Sequence, residues 1–502
     1  LTVLQSYSLT VLQSYYLTVS LSHLSRMKLK ESFGLWACVS IVIGSIIGSG
    51  IFMKPASMAA QLGSPQLLIA VWIGAGIITL FGALSNAEVA TMFPETGGQY
   101  VFFQKMYGDF IAFLYGWAAF AVFNTAGVAS IAYVLGTYVE YFIHLPRLSI
   151  EVEKSIDLFI PFIGHIFPLE NIGVKGVTIF VVVLLSYVNS RSSKLGGNLG
   201  VIITILKITA IGLIVIGLIF SDSGHSANFF QHSTSINPKG WALLGAIVAA
   251  TSGAFWGYDG WNNIGFVAGE VKNPQRNIPK SLLLGVVACI IIYVVINLAF
   301  LYMLPIDSMA SSSMVASDAM KIAFGSIGGG IIALIVILST FGTTHSNVLA
   351  TARVTYAMAA DGQFFKSLGR VHPKYTTPAN AIWIQGIWTS LLVLSGSFDT
   401  LTDMLIFVSY LFYGMSAFGL FVLRRNLPET NRPYKVWGYP FVPGVFVLFS
   451  LFFLVITLIN DINNYVSGKS ILINSVFGIF LTLIGIPLYG YFKLNKRKAQ
   501  VL

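Results

Sequence analysis

Apolar residues run through this chain in stretches of about twenty, parted by short polar segments that carry most of the Lys, Arg and Pro. The runs follow one another along nearly the whole chain. A helix needs about 20 apolar residues to cross the roughly 30 Å hydrocarbon core of a bilayer. On that measure the pattern predicts twelve spans, near 35–60, 66–92, 107–143, 172–190, 195–220, 241–267, 281–304, 327–358, 379–397, 400–423, 440–460 and 471–492. The expected fold is an all-α polytopic membrane protein with 12 transmembrane helices.

Composition points the same way. Of 502 residues, 56% are hydrophobic and only 10% charged, against roughly a quarter charged in soluble domains. Mean hydropathy is +0.79. The two cysteines, Cys38 and Cys289, each sit in an apolar run and read as buried, inert thiols. The seven His are scattered and show no metal-ligand spacing with Cys; no metal or other cofactor is expected.

The formal net charge of +10 calls for no nucleic-acid partner, because the basic residues sit at helix ends. They are Arg26, Lys28 and Lys30 before the first span, then Lys105, Arg191, Lys194, Lys272, Arg276 and Lys280. Arg353, Lys366, Arg370 and Lys374 follow, then Arg424, Arg425, Arg432 and Lys435, and last Lys493, Lys496, Arg497 and Lys498. Twenty-one of the 29 Lys and Arg thus fall on one face. Both termini are expected on the cytoplasmic side, in agreement with an even span count. The longest loop of the opposite face, 144–171, reads either as an external cap with a short helix or as unstructured chain. Residues 1–26 repeat LTVLQSYS-like units at a period of eight and lack the features of a signal peptide. Met27 is the expected natural start, with the preceding stretch non-native or a disordered tail.

Two spans carry signs of interruption. Span 1 reads Gly44-Ser45-Ile46-Ile47-Gly48-Ser49-Gly50-Ile51-Phe52. Glycine costs about 1 kcal/mol relative to alanine inside a helix. A GxxxG pair, Gly44 and Gly48, would let helices pack closely, but Gly-Ser-Gly in succession suits an unwound segment better. Span 6 reads Phe255-Trp256-Gly257-Tyr258-Asp259-Gly260-Trp261-Asn262-Asn263. A carboxylate at that depth is costly and marks function by default, although Asp259 could merely cap a half-helix beside water. Interruptions five spans apart are the strongest sequence pointer to a transporter site. A broken helix offers N–H groups at one end and C=O groups at the other, which suit the carboxylate and the ammonium of an amino acid. Unwound backbone at that depth is tolerated only where it lines such a cavity.

Span 5 places Lys207 among apolar neighbours, too deep to snorkel easily. A buried ammonium needs partners. Backbone carbonyls of span 1 and the hydroxyls of Ser339, Thr340, Thr343 and Thr344 in span 8 are the candidates. The lysine then either occupies a place where other transporters hold Na⁺ or tethers helices that frame the cavity.

These segments resemble the amino acid–polyamine–organocation superfamily, and within it the prokaryotic relatives of the L-type amino acid transporters, with bacterial serine/threonine exchangers as the nearest functional type. The resemblance covers roughly 32–492. It rests on Gly44–Phe52, on Pro94-Glu95-Thr96-Gly97-Gly98-Gln99-Tyr100, on Tyr258–Asn262 with Gly269-Glu270-Val271-Lys272-Asn273-Pro274, and on Arg432-Pro433-Tyr434-Lys435-Val436. It implies a five-plus-five inverted repeat, 32–220 and 241–425, with two further helices in 440–492. A tail precedes it at 1–31 and follows at 493–502.

The resemblance also implies that Gly48, Ser49 and Gly50 receive the substrate carboxylate, and that carbonyls near Ile46, Ile47 and Phe255 take the ammonium. Trp256 falls at the family's aromatic gate, and Asn262 and Tyr293 connect span 6 or 7 to it. Tyr258, Asp259 and Gly260 complete the candidate substrate site, although Tyr258, like Trp261, also reads as a packing aromatic in a chain that is 14% aromatic. Lys207 matches a lysine that stands in for sodium, with Thr343 as partner. Sodium-independent exchange of small to medium neutral amino acids follows. Human members commonly have Gly at the place of Asp259, which leaves the side-chain pocket open. They also keep an external cysteine bound to a heavy chain, whereas 144–171 contains none. No disulfide-linked heavy chain is expected, and a prokaryotic inner-membrane protein, monomer or homodimer, is favoured.

Glu95 could pair with Lys105 or a loop arginine as part of an inner gate, or belong to a tight turn. Glu88 is expected to be paired inside the bundle. Arg432-Pro433-Tyr434-Lys435 reads as a positive loop with no assigned chemistry. A proton-coupled symporter, using Lys207 or Asp259, is the first alternative function, and an amino acid sensor a second. A channel would need a carbonyl filter or charged ring, and an enzyme a nucleophile–base pair; neither is in the sequence.

Overall fold

The computed structural model describes residues 33–95, 98–191, 196–375 and 377–501. The expected N-terminal tail, the Met27 start, Lys194 and the Thr96-Gly97 pair lie outside them. Among the described residues nine helices are long and apolar enough to cross a membrane, and a bent pair in span 1 makes a tenth. Shorter apolar helices, Ile205–Ile219 and Ala379–Ser395, stand where spans 5 and 9 were expected. The chain is an all-α polytopic membrane protein.

Span 1 is two helices, Leu35–Ile46 and Gly50–Leu62, meeting at 44°. Span 2 is Pro65–Met92 and span 3 runs Asp109–Val139 with a π-helical turn at Ala119–Phe123. Span 4 is Ile172–Arg191 and span 5 Gly196–Ile219. Span 6 ends its α-helix at Tyr258 and resumes as a 3₁₀ helix, Trp261–Glu270. Span 7 is Pro274–Met303. The helix of span 8, Val315–Ala360, loses helical geometry at Phe324 and Gly325, so its membrane part begins after them. Spans 10 and 11 are Phe398–Asn426 and Phe441–Val466, and the last covers Asn474–Leu494.

The two broken spans pack head to tail. The second half of span 1 lies along the first half of span 6, and the first half of span 1 lies beside the 3₁₀ segment. Backbone bonds from Phe33 N–H to the Glu270 carbonyl (3.0 Å) and from Lys272 N–H to the Phe33 carbonyl (2.9 Å) tie those last two ends together. Spans 7 and 2 pack against this pair, span 8 meets the second half of span 1 on the other side, and spans 3 and 9 pack on span 8.

Loop 144–171 is ordered. It has the expected short helix, Ile150–Glu153, and also an antiparallel hairpin, Leu158–Ile160 with Gly164–Ile166, that the sequence reading did not foresee. The hairpin is held by the chain before the last span: His165 N–H donates to the Ile471 carbonyl and Ile473 N–H to that of Ile163, each at 2.8 Å. A short helix, Gln99–Tyr107, precedes span 3.

Candidate functional site

The break in span 1 falls at Ile47–Ser49. Ile47 is extended (φ −74°, ψ 95°). Gly50 starts a new helix, so the N–H groups of its first turn have no acceptor inside that helix. Gly50 is also where spans 1 and 6 touch: a Cβ there would lie 2.8 Å from the Gly257 Cα. In span 6, Asp259 is extended and Gly260 takes φ +97°, with room for no side chain because a Cβ would meet the Ser45 carbonyl oxygen at 2.7 Å. Both glycines therefore fix how closely the breaks approach.

Between the breaks is a cavity of about 80 Å³. Ser45, Ile46, Gly48, Ser49 and Gly50 line it from span 1, and Trp256, Asp259, Gly260, Asn262, Asn263 and Phe266 from span 6. Span 3 adds Tyr115, Phe123 and Asn124, span 8 adds Thr343, Asn347 and Thr351, and span 10 adds Tyr413. The Ser49 hydroxyl and the Trp256 indole N–H are buried and have no hydrogen-bond partner among the described residues. Buried polar atoms in native proteins are overwhelmingly paired, so two unpaired ones on residues that line a cavity suit a polar ligand. The Asp259 carboxylate accepts from the Tyr413 hydroxyl at 2.8 Å.

Lys207 is buried and its ammonium donates to the Thr343 hydroxyl at 2.5 Å and to the Ile47 carbonyl at 3.4 Å. These are the two partner classes expected of it. Thr343 passes the bond on to the Ser339 carbonyl at 2.8 Å. Lys207 forms no ion pair among the described residues. The Tyr293 hydroxyl lies 2.9 Å from the Ile46 carbonyl and 2.7 Å from that of Gly257. It has one proton, so it serves one break at a time and touches both.

Not every expected residue reaches the cavity. Phe255 turns its ring onto Tyr410, 3.9 Å between centroids, and the Tyr258 hydroxyl donates to the Trp72 carbonyl at 3.0 Å. Both side chains pack span 6, because helical spacing points them away from Trp256; for Phe255 this does not bear on the backbone carbonyl expected to act. Ile47 contributes its carbonyl to Lys207, and Tyr293 acts from behind the wall. Asn262 lines the cavity and reaches Gln99 at 3.4 Å.

Two charge clusters flank the site. Toward the Lys/Arg-rich face, Glu88 is fully buried. It accepts from Arg424 through Nε (3.0 Å) and Nη2 (2.7 Å), and from Val436 N–H (2.7 Å). Arg432 stands 3.6 Å from it and donates to the carbonyls of Leu423 and Leu427 at the end of span 10. The expected pairing of Glu88 is met, while Arg432, given no chemistry from sequence, caps that helix. Glu95 is exposed and makes no ion pair among the described residues; Lys105 lies over the Phe93 ring instead. An exposed carboxylate gains little from such a pair.

Toward the opposite face, Lys54 is buried beside Asp399 (2.6 Å), Thr402 (2.7 Å) and Asp403 (3.8 Å). The sequence reading missed this cluster. Its signal was a lysine four residues past the Gly48–Gly50 break and two carboxylates one turn apart at the start of span 10.

The sequence pattern of the amino acid permease family matches residues 33–484, and the chain belongs to that family. It is 32% identical to the serine/threonine exchanger SteT of Bacillus subtilis over 481 residues, 95% of this chain and 100% of that one. It is 29% identical to the human b(0,+)-type amino acid transporter 1 over 438 residues, 86% and 83% of the two chains. The human cystine/glutamate transporter is 28% identical over 481 residues, 95% and 88%. Family membership makes this chain a membrane transporter of amino acids and not an enzyme.

Proposed function

We propose that the protein is a sodium-independent exchanger of small to medium neutral L-amino acids, working by alternating access. The observation that carries this reading is the cavity between two facing helix breaks, with the first turn of a new helix on one side and unpaired Ser49 and Trp256 groups within it. The N–H groups around Gly48–Gly50 would receive the substrate carboxylate. The carbonyls of Ile46 and Ile47 each retain a lone pair beyond the one used by Tyr293 or Lys207, and would take the ammonium together with backbone of span 6. Trp256 would cover the bound molecule. Asp259 and Tyr413 bound the side-chain region, which suits small polar or apolar substituents. Lys207 would hold a fixed positive charge where a sodium ion would otherwise be needed, supporting sodium independence.

The same reading places the halves 32–220 and 241–425 as inverted repeats, in keeping with the head-to-tail packing of spans 1 and 6. It places the Lys/Arg-rich face and both termini in the cytoplasm of a cell whose inner (plasma) membrane holds the protein. Both cysteines are buried, which supports a monomer or homodimer without a disulfide-linked heavy chain.

The test uses purified protein in liposomes preloaded with unlabelled L-serine or L-alanine. Labelled neutral amino acid is supplied with choline in place of sodium and no pH gradient. Uptake that requires internal amino acid is the expected result. Uptake into empty liposomes only under an inward proton gradient would make the protein a symporter. Absence of uptake in both formats, from folded protein, would favour a sensor and end the exchanger reading.

A further inference from the structure

A second cavity, of about 600 Å³, opens on the face opposite the Lys/Arg-rich one and shares no lining residue with the first. Ligand cavities run roughly 300–1,000 Å³. Three membrane spans end or begin around it. Leu62 closes the second helix of span 1, Ser64 caps span 2, and Gly240 precedes the first turn of span 6. The cavity therefore lies at the depth where a bilayer passes from acyl chains to headgroups. Its rim is fixed by hydrogen bonds between two loops. Ser233 N–H donates to the Gly63 carbonyl and Gln66 Nε2 to that of Phe229, each at 2.8 Å. Gly63, at φ +59°, lets the loops close up, since a Cβ there would collide with the Ile236 carbonyl oxygen.

The lining has two kinds of surface. Lys239, His232 and Asn237 offer donors, and these side chains have no hydrogen bond or ion pair among the described residues. Leu62, Leu67 and Leu243 are apolar. No Asp or Glu is among the lining residues. Trp241, between Lys239 and Leu243 in the chain, is 82% exposed, as aromatic rings at the membrane interface are.

We propose that this cavity binds the headgroup of an anionic phospholipid. The Lys239 ammonium faces the phosphate, and His232 and Asn237 donate to its other oxygens. The leucines take the glycerol backbone and the first methylenes, with the Trp241 ring beside the chains. A soluble phosphate would leave that apolar surface unused. A zwitterionic headgroup would bring a cation of its own next to Lys239. A lipid held there bridges the outer ends of spans 1 and 6.

The test uses the fluorescence of Trp241, taken as the difference between the parent and Trp241→Phe. The protein is reconstituted in phosphatidylcholine vesicles that carry a minor fraction of dibrominated phosphatidylglycerol or, in parallel, of dibrominated phosphatidylcholine. Quenching by the anionic lipid is expected to be about fivefold more effective, as one lysine at an anionic surface provides. Lys239→Gln should remove the preference and Lys239→Arg keep it. Lys239 is exposed and unbonded, so neither change removes a contact that folding needs. Equal quenching by the two lipids in the parent would overturn the proposal. So would a preference that survives in Lys239→Gln, because the anion would then be held elsewhere. A preference lost to inorganic phosphate but kept in chloride of equal ionic strength would assign the site to a soluble phosphate and overturn the lipid. The measurement needs no transport, so its outcome is separate from that of the exchange assay.

Discussion

Lys54 and Lys207 are both lysines inside membrane spans, and both are buried. They keep different company. Lys54 faces two carboxylates and a hydroxyl, all from span 10. Lys207 faces a hydroxyl and a backbone carbonyl, from spans 8 and 1, and no carboxylate among the described residues. An ammonium in hydrocarbon costs several kcal/mol unless its hydration is replaced. The two sites replace it in different ways. Beside Asp399 and Asp403 the ammonium is matched by carboxylates, of which Asp399 is half exposed. Beside Thr343 and Ile47 it is a net positive charge held by neutral oxygens, which is how a protein holds a hard metal cation. The first arrangement suits a contact that is made and broken in each cycle. The second suits one that persists, and it sits directly on the carbonyl of the span 1 break.

The comparison is broken most directly at Lys207. Lys207→Met removes the charge and leaves the Ile47 carbonyl and the Thr343 hydroxyl facing apolar carbon. Leaving a buried acceptor unpaired costs about 1–3 kcal/mol, and this substitution leaves two. Counterflow uptake should fall about 100-fold or more, since each 1.4 kcal/mol is tenfold. A variant that keeps most of its uptake would make Lys207 a tether and no more. Lys54→Met should be milder, about tenfold in uptake, because Asp399 is half in water and can be hydrated alone. If the order of these two losses is reversed, the Lys54 cluster and not the fixed cation organises transport.

Thr343→Val sharpens the contrast within one site. It removes the nearer acceptor of Lys207 and leaves Ile47 at 3.4 Å. A hydrogen bond to a charged group contributes about 1.5–3 kcal/mol, so a loss near or somewhat above tenfold is expected. The check is the same counterflow assay, run beside Thr340→Val. Thr340 bonds only within its own helix, to the Val336 and Ile337 carbonyls, and its replacement should cost little.

Much of this contrast could be read from the chain and some could not. Spans, breaks and the depth of Lys207 follow from local sequence: Gly48-Ser49-Gly50, Tyr258-Asp259-Gly260, and a lysine among isoleucines. Its partners were legible because the span 1 break frees carbonyls and span 8 offers a run of hydroxyls, Ser339, Thr340, Thr343 and Thr344. Lys54 was not legible. In Phe52-Met53-Lys54-Pro55 it resembles a residue near a helix end that snorkels to the interface, and its partners lie some 345 positions on. Asp399 and Asp403 look like ordinary first-turn acids. The tie between Glu88 and Arg424 spans 336 positions, so the pairing of Glu88 could be expected but its partner not named. Tyr258 sits beside Asp259 along the chain, but its side chain packs on Trp72 behind the site.

Among the groups that touch the breaks, the smallest effect is expected behind the wall, at Tyr293. Its hydroxyl shares one proton between the Ile46 and Gly257 carbonyls, so it links the same two breaks that the substrate is proposed to bridge. Tyr293→Phe keeps the ring contacts with Trp72 and Tyr258, each 5.1 Å between centroids. It removes one neutral hydrogen bond, about 0.5–1.5 kcal/mol. Uptake should fall only severalfold, and the apparent affinity for amino acid should change more than the maximal rate, because the Ile46 carbonyl proposed to take the ammonium loses the donor that orients it. The measurement is a concentration series of counterflow uptake. A loss as large as that of Lys207→Met would mean that the two breaks are held together by this hydroxyl and not by the fixed cation. The contrast between the two lysines would then be a matter of packing, and the organising group of the site would be a tyrosine on span 7.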